Sequence, residues 1–234
     1  MSRKLDTAHV IERTFAIYAS HWAVLLGLAL IVYLLAALVD GVLLAGGLNL
    51  GAIALAGAVT LVFTFVYNAM VVELVRDVQD GRLDQSVGEM LRSVTPVLGQ
   101  LVGASLVAGV GIMAGLVLFF VPGLVLIAWW AVVAPVVIVE RPGAMASLRR
   151  SRQLVRGNGW RVFGILVVVL LVTLTARSLL GSLSSDVALS AVLSLAGQVL
   201  LAPIFAIASA TMYFELKAMS GDAGAATLRL PAAP

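Results

Sequence analysis

Charge is scarce in this chain and cysteine is absent. Only 12% of its 234 residues are Asp, Glu, Lys or Arg, against 62% hydrophobic, and the mean hydropathy is +1.10. A soluble domain averages about 25% charged and roughly 45–50% apolar. So few charges cannot coat a water-exposed surface, and a bilayer has to do the solvating. The missing cysteines exclude disulfides, thiolate metal sites and thiol nucleophiles together. Enzyme signatures are missing as well: there is no HExxH, no GxSxG, no P-loop and no carboxylate pair inside an apolar run. The expectation is a chain with no catalytic residue, no cofactor site and no metal ligand. His9 and His21 have no partners at ligand spacing and read as ordinary interfacial residues.

What is present is a series of long apolar runs: Trp22–Leu44, Gly51–Val72, Val97–Val121, Gly123–Val139, Val162–Leu183 and Leu189–Phe214. A spanning helix needs about 20 such residues. The runs are continuous rather than alternating, which predicts helices and not a barrel. The fold class is therefore all-α, a polytopic membrane protein of six transmembrane helices plus short interfacial amphipathic helices near 5–20, 86–95 and 144–156. One membrane domain covers 1–219, and the Ala/Gly/Pro-rich 220–234 reads as a disordered tail. Pro122-Gly123 separates the third run from the short fourth. A tight helical hairpin with its turn at Val121-Pro122-Gly123 is expected, the alternative being one kinked span with a re-entrant piece. The first run begins only after a charged amphipathic stretch and is too long for a signal-peptide core, so it is expected to stay in the mature protein.

The basic residues sort by side. Arg3, Lys4 and Arg13 precede the first run; Arg76, Arg82 and Arg92 follow the second. Arg141, Arg149, Arg150, Arg152, Arg156 and Arg161 follow the fourth, and Lys217 and Arg229 follow the sixth. If six helices alternate, all of these share one side and only Arg177 falls on the other. The positive-inside rule then predicts a cytoplasmic membrane with both termini in the cytoplasm.

The densest basic stretch, Ser147–Arg161, holds five arginines and no acid. As a helix, 144–156 aligns Ala144, Leu148, Ser151 and Val155 at i, i+4, i+7 and i+11, with Leu154 beside them. Arg149, Arg152, Gln153 and Arg156 lie opposite, flanked by Arg150. Gly157 suits a C-cap, and Trp160 opens the next span where an interfacial aromatic belongs. The segment reads as a shelf in the membrane interface. The plain reading of its arginines is topology and anchoring. The sharper one is a pocket for a phosphate-bearing lipid headgroup formed by Arg149, Arg150, Arg152, Arg156, Trp160 and Arg161. Nucleic acid is not expected, because no aromatic platform accompanies the basic face. The loop from Glu73 to Val94 repeats this plan weakly: an acid-arginine exit, then a short surface helix. A duplication and shared interface rules both account for it.

Ionisable residues inside spans are functional hypotheses by default. Asp40 and Arg177 lie late in the first and fifth runs, toward the same side, and are candidates for an intramembrane ion pair. Asn68 and Gln198 are candidates for interhelical hydrogen bonds. Gly99, Gly103, Gly111 and Gly115 form a four-residue-period stripe on the third run, with Val107 at the missing step. Such stripes allow close helix approach, here within the bundle or between two copies.

The run Trp129-Trp130, Glu140, Ala146, Leu148-Arg149-Arg150-Ser151, Leu154-Val155-Arg156-Gly157, Trp160-Arg161 resembles a bacterial membrane-domain family. That family includes the membrane domain ahead of the catalytic domain in some glycerophosphodiester phosphodiesterases and many stand-alone membrane proteins. The Arg76–Gly81 exit and Tyr213-Phe214-Glu215-Leu216-Lys217 resemble it too. The phosphodiesterase chemistry belongs to a separate catalytic domain, so no catalytic residue carries over. The resemblance implies anchoring or a lipid-facing role. The expected function is a non-enzymatic module that engages anionic membrane lipid or scaffolds partners, a second copy included. The alternative is a small transporter or lipid translocator using Asp40, Asn68 and Arg177.

Overall fold

Helix is the only regular structure among the described residues, which in the computed structural model are 5–47, 49–80, 88–89, 92, 95–118, 120–183 and 186–221. Within the helices, the side chains at 44, 54, 61, 80, 120, 177, 181, 187 and 188 fall outside that description. The order is α1 (Thr7–Leu44), α2 (Leu50–Asp80), a 3-10 turn (Thr95–Val97), α3 (Leu98–Leu118), α4 (Phe120–Trp129), α5 (Val133–Glu140), α6 (Ala144–Val155), α7 (Gly159–Gly181) and α8 (Val187–Met219). Among the described residues six stretches are long and apolar enough to cross a membrane: Thr7–Leu43, Leu50–Gln79, Thr95–Leu118, Val121–Glu140, Gly159–Leu180 and Leu189–Met219. Most of the surface helix expected at 86–95, and all of the tail from 222, lie outside the described residues.

Local chemistry sets the breaks. The Asp6 carboxylate caps α1 by accepting from the backbone N–H groups of Ala8 and His9. Inside α1, His21 leaves helical geometry (φ −122°, ψ 20°). The Ser20 hydroxyl folds back on the carbonyls of Ala16 and Ile17 at 2.8 and 3.2 Å, a contact that bends helices. The kink sets a lead-in, 7–20, apart from the spanning part. The lead-in packs on Val10, Thr14 and Ile17, while Phe15, one residue round, stays exposed. Ile11 and Tyr18, beside that stripe, are half-buried.

The α3–α4 turn comes earlier than Val121–Gly123. α3 stops at Leu118, α4 starts at Phe120, and Pro122 sits in the first turn of α4, where a missing N–H leaves no intrahelical bond unmade. Gly123 serves contact instead of turning: a Cβ there would meet the Leu116 backbone N at 2.6 Å.

α8 packs on α1, α2 and α7, α1 also packs on α2, α3 on α4, and α4 on α7. Buried residues gather toward one end of the bundle. One cluster includes Leu25, Tyr67, Met70, Leu101, Val137 and Ile207; the other includes Leu5, Val10, Val155, Ile165, Tyr213 and Leu216. At the opposite end Val42, Leu50, Leu118, Leu179 and Leu183 are exposed, a surface that only lipid solvates favourably. Fixed packing is therefore invested at the end that also carries the charges.

Candidate functional site at the basic end of the bundle

The fourth span is built in two pieces, and its break organises the site. Between α4 and α5 the Val133 N–H bonds to the Trp130 carbonyl at 3.2 Å, a turn three residues back. That leaves the Trp129 carbonyl without its usual donor. Ala131 lies in the break before α5, and the nitrogen four residues on belongs to Pro135, which has no N–H to offer its carbonyl. In hydrocarbon an orphaned carbonyl costs several kcal/mol (roughly). Two serines relieve both: Ser151 of α6 donates to the Trp129 carbonyl at 2.7 Å, and Ser209 of α8 donates to the Ala131 carbonyl at 2.8 Å.

α6 is thereby fastened to the bundle. Ser147, Leu148, Ser151, Leu154 and Val155 are buried, against α3, α4, α5 and α8. The burial of Ser147 was not expected; its hydroxyl is satisfied by the Gly143 carbonyl at 2.8 Å. Ala144, at the edge of the expected stripe, is half-buried. The shelf reading thus changes in one respect: the apolar face of α6 is occupied by protein, which leaves only its other faces open. Gly143 and Gly157, at its two ends, hold φ of 95° and 90°, conformations that any residue with a Cβ resists.

With the apolar stripe turned inward, Arg149, Arg152, Gln153 and Arg156 face outward and are exposed. Arg152 lies 4.0 Å over the centre of the Trp129 ring, a cation–π contact worth about 0.5–1 kcal/mol at an exposed site. Trp160 is 84% exposed and stacks on Phe163. Arg150 points differently. Its Nε donates to Glu140 Oε2 at 2.9 Å. Glu140 Oε1 accepts from the Tyr213 hydroxyl at 2.9 Å and faces Lys217 Nζ at 3.3 Å. Lys217 in turn donates to the Tyr213 oxygen at 3.0 Å. One carboxylate thus ties α5, α6 and α8 together.

Arg161 is likewise used inside the protein: it donates to the Leu5 carbonyl, and the Leu5 N–H donates to Asn158 Oδ1 at 3.1 Å. These two bonds strap the start of the chain onto the α6–α7 corner. His9 approaches Glu215 at 3.8 Å. Of the six arginine and tryptophan positions read as a headgroup site, Arg149, Arg152, Arg156 and Trp160 are exposed, Arg152 stacked on Trp129, while Arg150 and Arg161 hydrogen-bond within the protein.

The remaining expected positions are dispersed. Asp40 Oδ2 accepts a short bond from the Thr60 hydroxyl of α2. The Arg177 side chain is outside the described residues, so the expected pair has only its Asp40 half in view. Asn68 Nδ2 donates to the Thr64 carbonyl of its own helix at 2.8 Å. Along the glycine stripe, Gly111 lies under the Trp130 ring and Gly115 against Gly123, both within the bundle; Gly103 faces Ala144, and Gly99 faces open space.

Sequence reasoning missed the Glu140 hub and the two serine clasps. Glu140 did carry a signal, being the sole acid between Glu89 and Asp186, a stretch rich in arginine. Tyr213 and Lys217 stand at i, i+4, on one helix face. Together the apolar helices and their charged end define a multi-pass α-helical membrane protein. No family model, curated protein or solved structure matches the chain.

Proposed function

We propose that this chain is a non-enzymatic module of a bacterial cytoplasmic membrane, with both termini in the cytoplasm, whose helix α6 engages anionic lipid headgroups. The resemblance to the membrane domain found with glycerophosphodiester phosphodiesterases points the same way. The observation that carries the reading is the division of labour on α6: its apolar face is fastened to the bundle, so Arg149, Arg152 and Arg156 are left facing outward beside the exposed Trp160. Each cation near an anionic leaflet adds about 1 kcal/mol. Three therefore give a preference of roughly two orders of magnitude over a neutral lipid.

Native mass spectrometry of the protein released from mild detergent tests this, beside an R149A/R152A/R156A variant. Retention of one anionic lipid class by the parent and its loss from the variant is the expected result. Equal loss of all lipids from both proteins would leave the arginines with orientation alone and turn attention to protein partners.

A further inference from the structure

A cleft runs between α1, α7 and α8 on the lipid-facing side of the bundle. Its floor is buried and includes Thr14, Ile165 and Ala208; its walls are exposed and include Phe15 of α1 and Val168 and Val172 of α7. Even Thr14 contributes no polarity, because its hydroxyl is turned to the Val10 carbonyl at 2.7 Å. We propose that this cleft seats one acyl chain of an anionic phospholipid whose phosphate meets Arg161 at the mouth.

Two features select that occupant. Arg161, Ile165, Val168 and Val172 follow each other at i, i+4, i+7 and i+11, so Arg161 heads the α7 face that lines the cleft. Arg161 gives a donor to the Leu5 carbonyl, and a guanidinium has about five N–H donors in all, so a phosphate oxygen still finds several. The depth also agrees. On α7 the cleft is lined from Ile165 to Val172, about 10 Å of helix, with Arg161 one turn before its first residue; this lies within the roughly 15 Å of hydrocarbon that one leaflet contributes. A chain seated there lies along the cleft with its headgroup level with Arg161 and the exposed Trp160.

The inference rests on reading the basic end as lipid-facing, and the test separates the two. The full chain is reconstituted in mixed phosphatidylcholine–phosphatidylglycerol vesicles, with a photoactivatable diazirine in the acyl chains of one lipid at a time, and labelled peptides are mapped by mass spectrometry. Phosphatidylglycerol label is expected to gather on Phe15, Val168 and Val172 about fivefold over phosphatidylcholine label, the factor one cation supplies. Arg161→Gln, which keeps a donor for the Leu5 carbonyl, is expected to remove that preference. Val168→Trp is expected to lower cleft labelling, and Leu170→Trp to leave it unchanged. Both positions are exposed, so neither substitution burdens the core. Label spread evenly round the bundle, equal for the two lipids, or indifferent to Val168→Trp would overturn the proposal. If R149A/R152A/R156A keeps its anionic lipid while cleft labelling follows the expected pattern, the α6 reading fails and the cleft stands. If that variant loses its lipid while label spreads evenly, the cleft alone fails.

Discussion

Removing the Ser209 hydroxyl is expected to destabilise the bundle only while residue 135 is proline. Ser209 is 4% exposed and donates to the Ala131 carbonyl, to which the Pro135 nitrogen, four residues on, has no N–H to offer. Interhelical hydrogen bonds in membrane proteins average about 0.6 kcal/mol and reach about 1.7. Here the acceptor has no substitute in its own helix, so Ser209→Ala should fall in the upper part of that range, about 1–1.7 kcal/mol. Pro135→Ala supplies an N–H four residues after Ala131. In that background Ser209→Ala should cost about 1 kcal/mol less, a coupling large enough for a double-mutant cycle. The assay is an SDS titration of the protein in mild detergent followed by circular dichroism, on parent, both single variants and the double. Equal costs for Ser209→Ala in the two backgrounds would refute the account of the break.

The hub, the hairpin and the strap give further expectations. Glu140→Gln leaves Arg150 and Lys217 facing a neutral group, but their side chains are 25% and 30% exposed and reach water. A loss of about 1–2 kcal/mol in the same titration is expected, with a smaller one for Tyr213→Phe; no loss in either would remove Glu140 as a tie. Gly123→Ala puts a Cβ against the Leu116 backbone at 2.6 Å and should cost about 3 kcal/mol by forcing α3 and α4 apart. Gly99→Ala, facing open space, should stay within about 0.5 kcal/mol of the parent. Asn158→Ala removes the acceptor for the Leu5 N–H, so amide exchange should quicken over residues 5–10; unchanged exchange there would show that the strap is held by Arg161 alone.

The helical spans were legible because hydrocarbon leaves the backbone no alternative: an unbroken apolar run of sufficient length has to be helix. The stripe on α6 could be drawn from its periodicity, but what covers it could not. Sequence spacing places Leu148 and Val155 on one face without saying whether lipid or protein lies opposite. The break at Trp130–Val132 was hidden because Pro135 sits in an otherwise continuous apolar run, while Pro122-Gly123 drew attention as the stronger breaker. Ser151 and Ser209, distant in sequence, answer carbonyls that become acceptors only once that break exists. The Glu140 hub joins Glu140 to Tyr213, 73 positions on, and to Lys217 beyond it, and no local pattern links them.

The divided fourth span has a consequence for biogenesis. A span that satisfies its own backbone is finished as soon as it leaves the insertion machinery. This one is not: the hydroxyl for Trp129 comes from α6, and that for Ala131 from α8, both later in chain order. The span's polar backbone must therefore wait, partly uncapped, while three further helices, α6 to α8, are made. Maturation of its middle is tied to the arrival of Ser209, so a chain halted before α8 still has the Ala131 carbonyl without this donor.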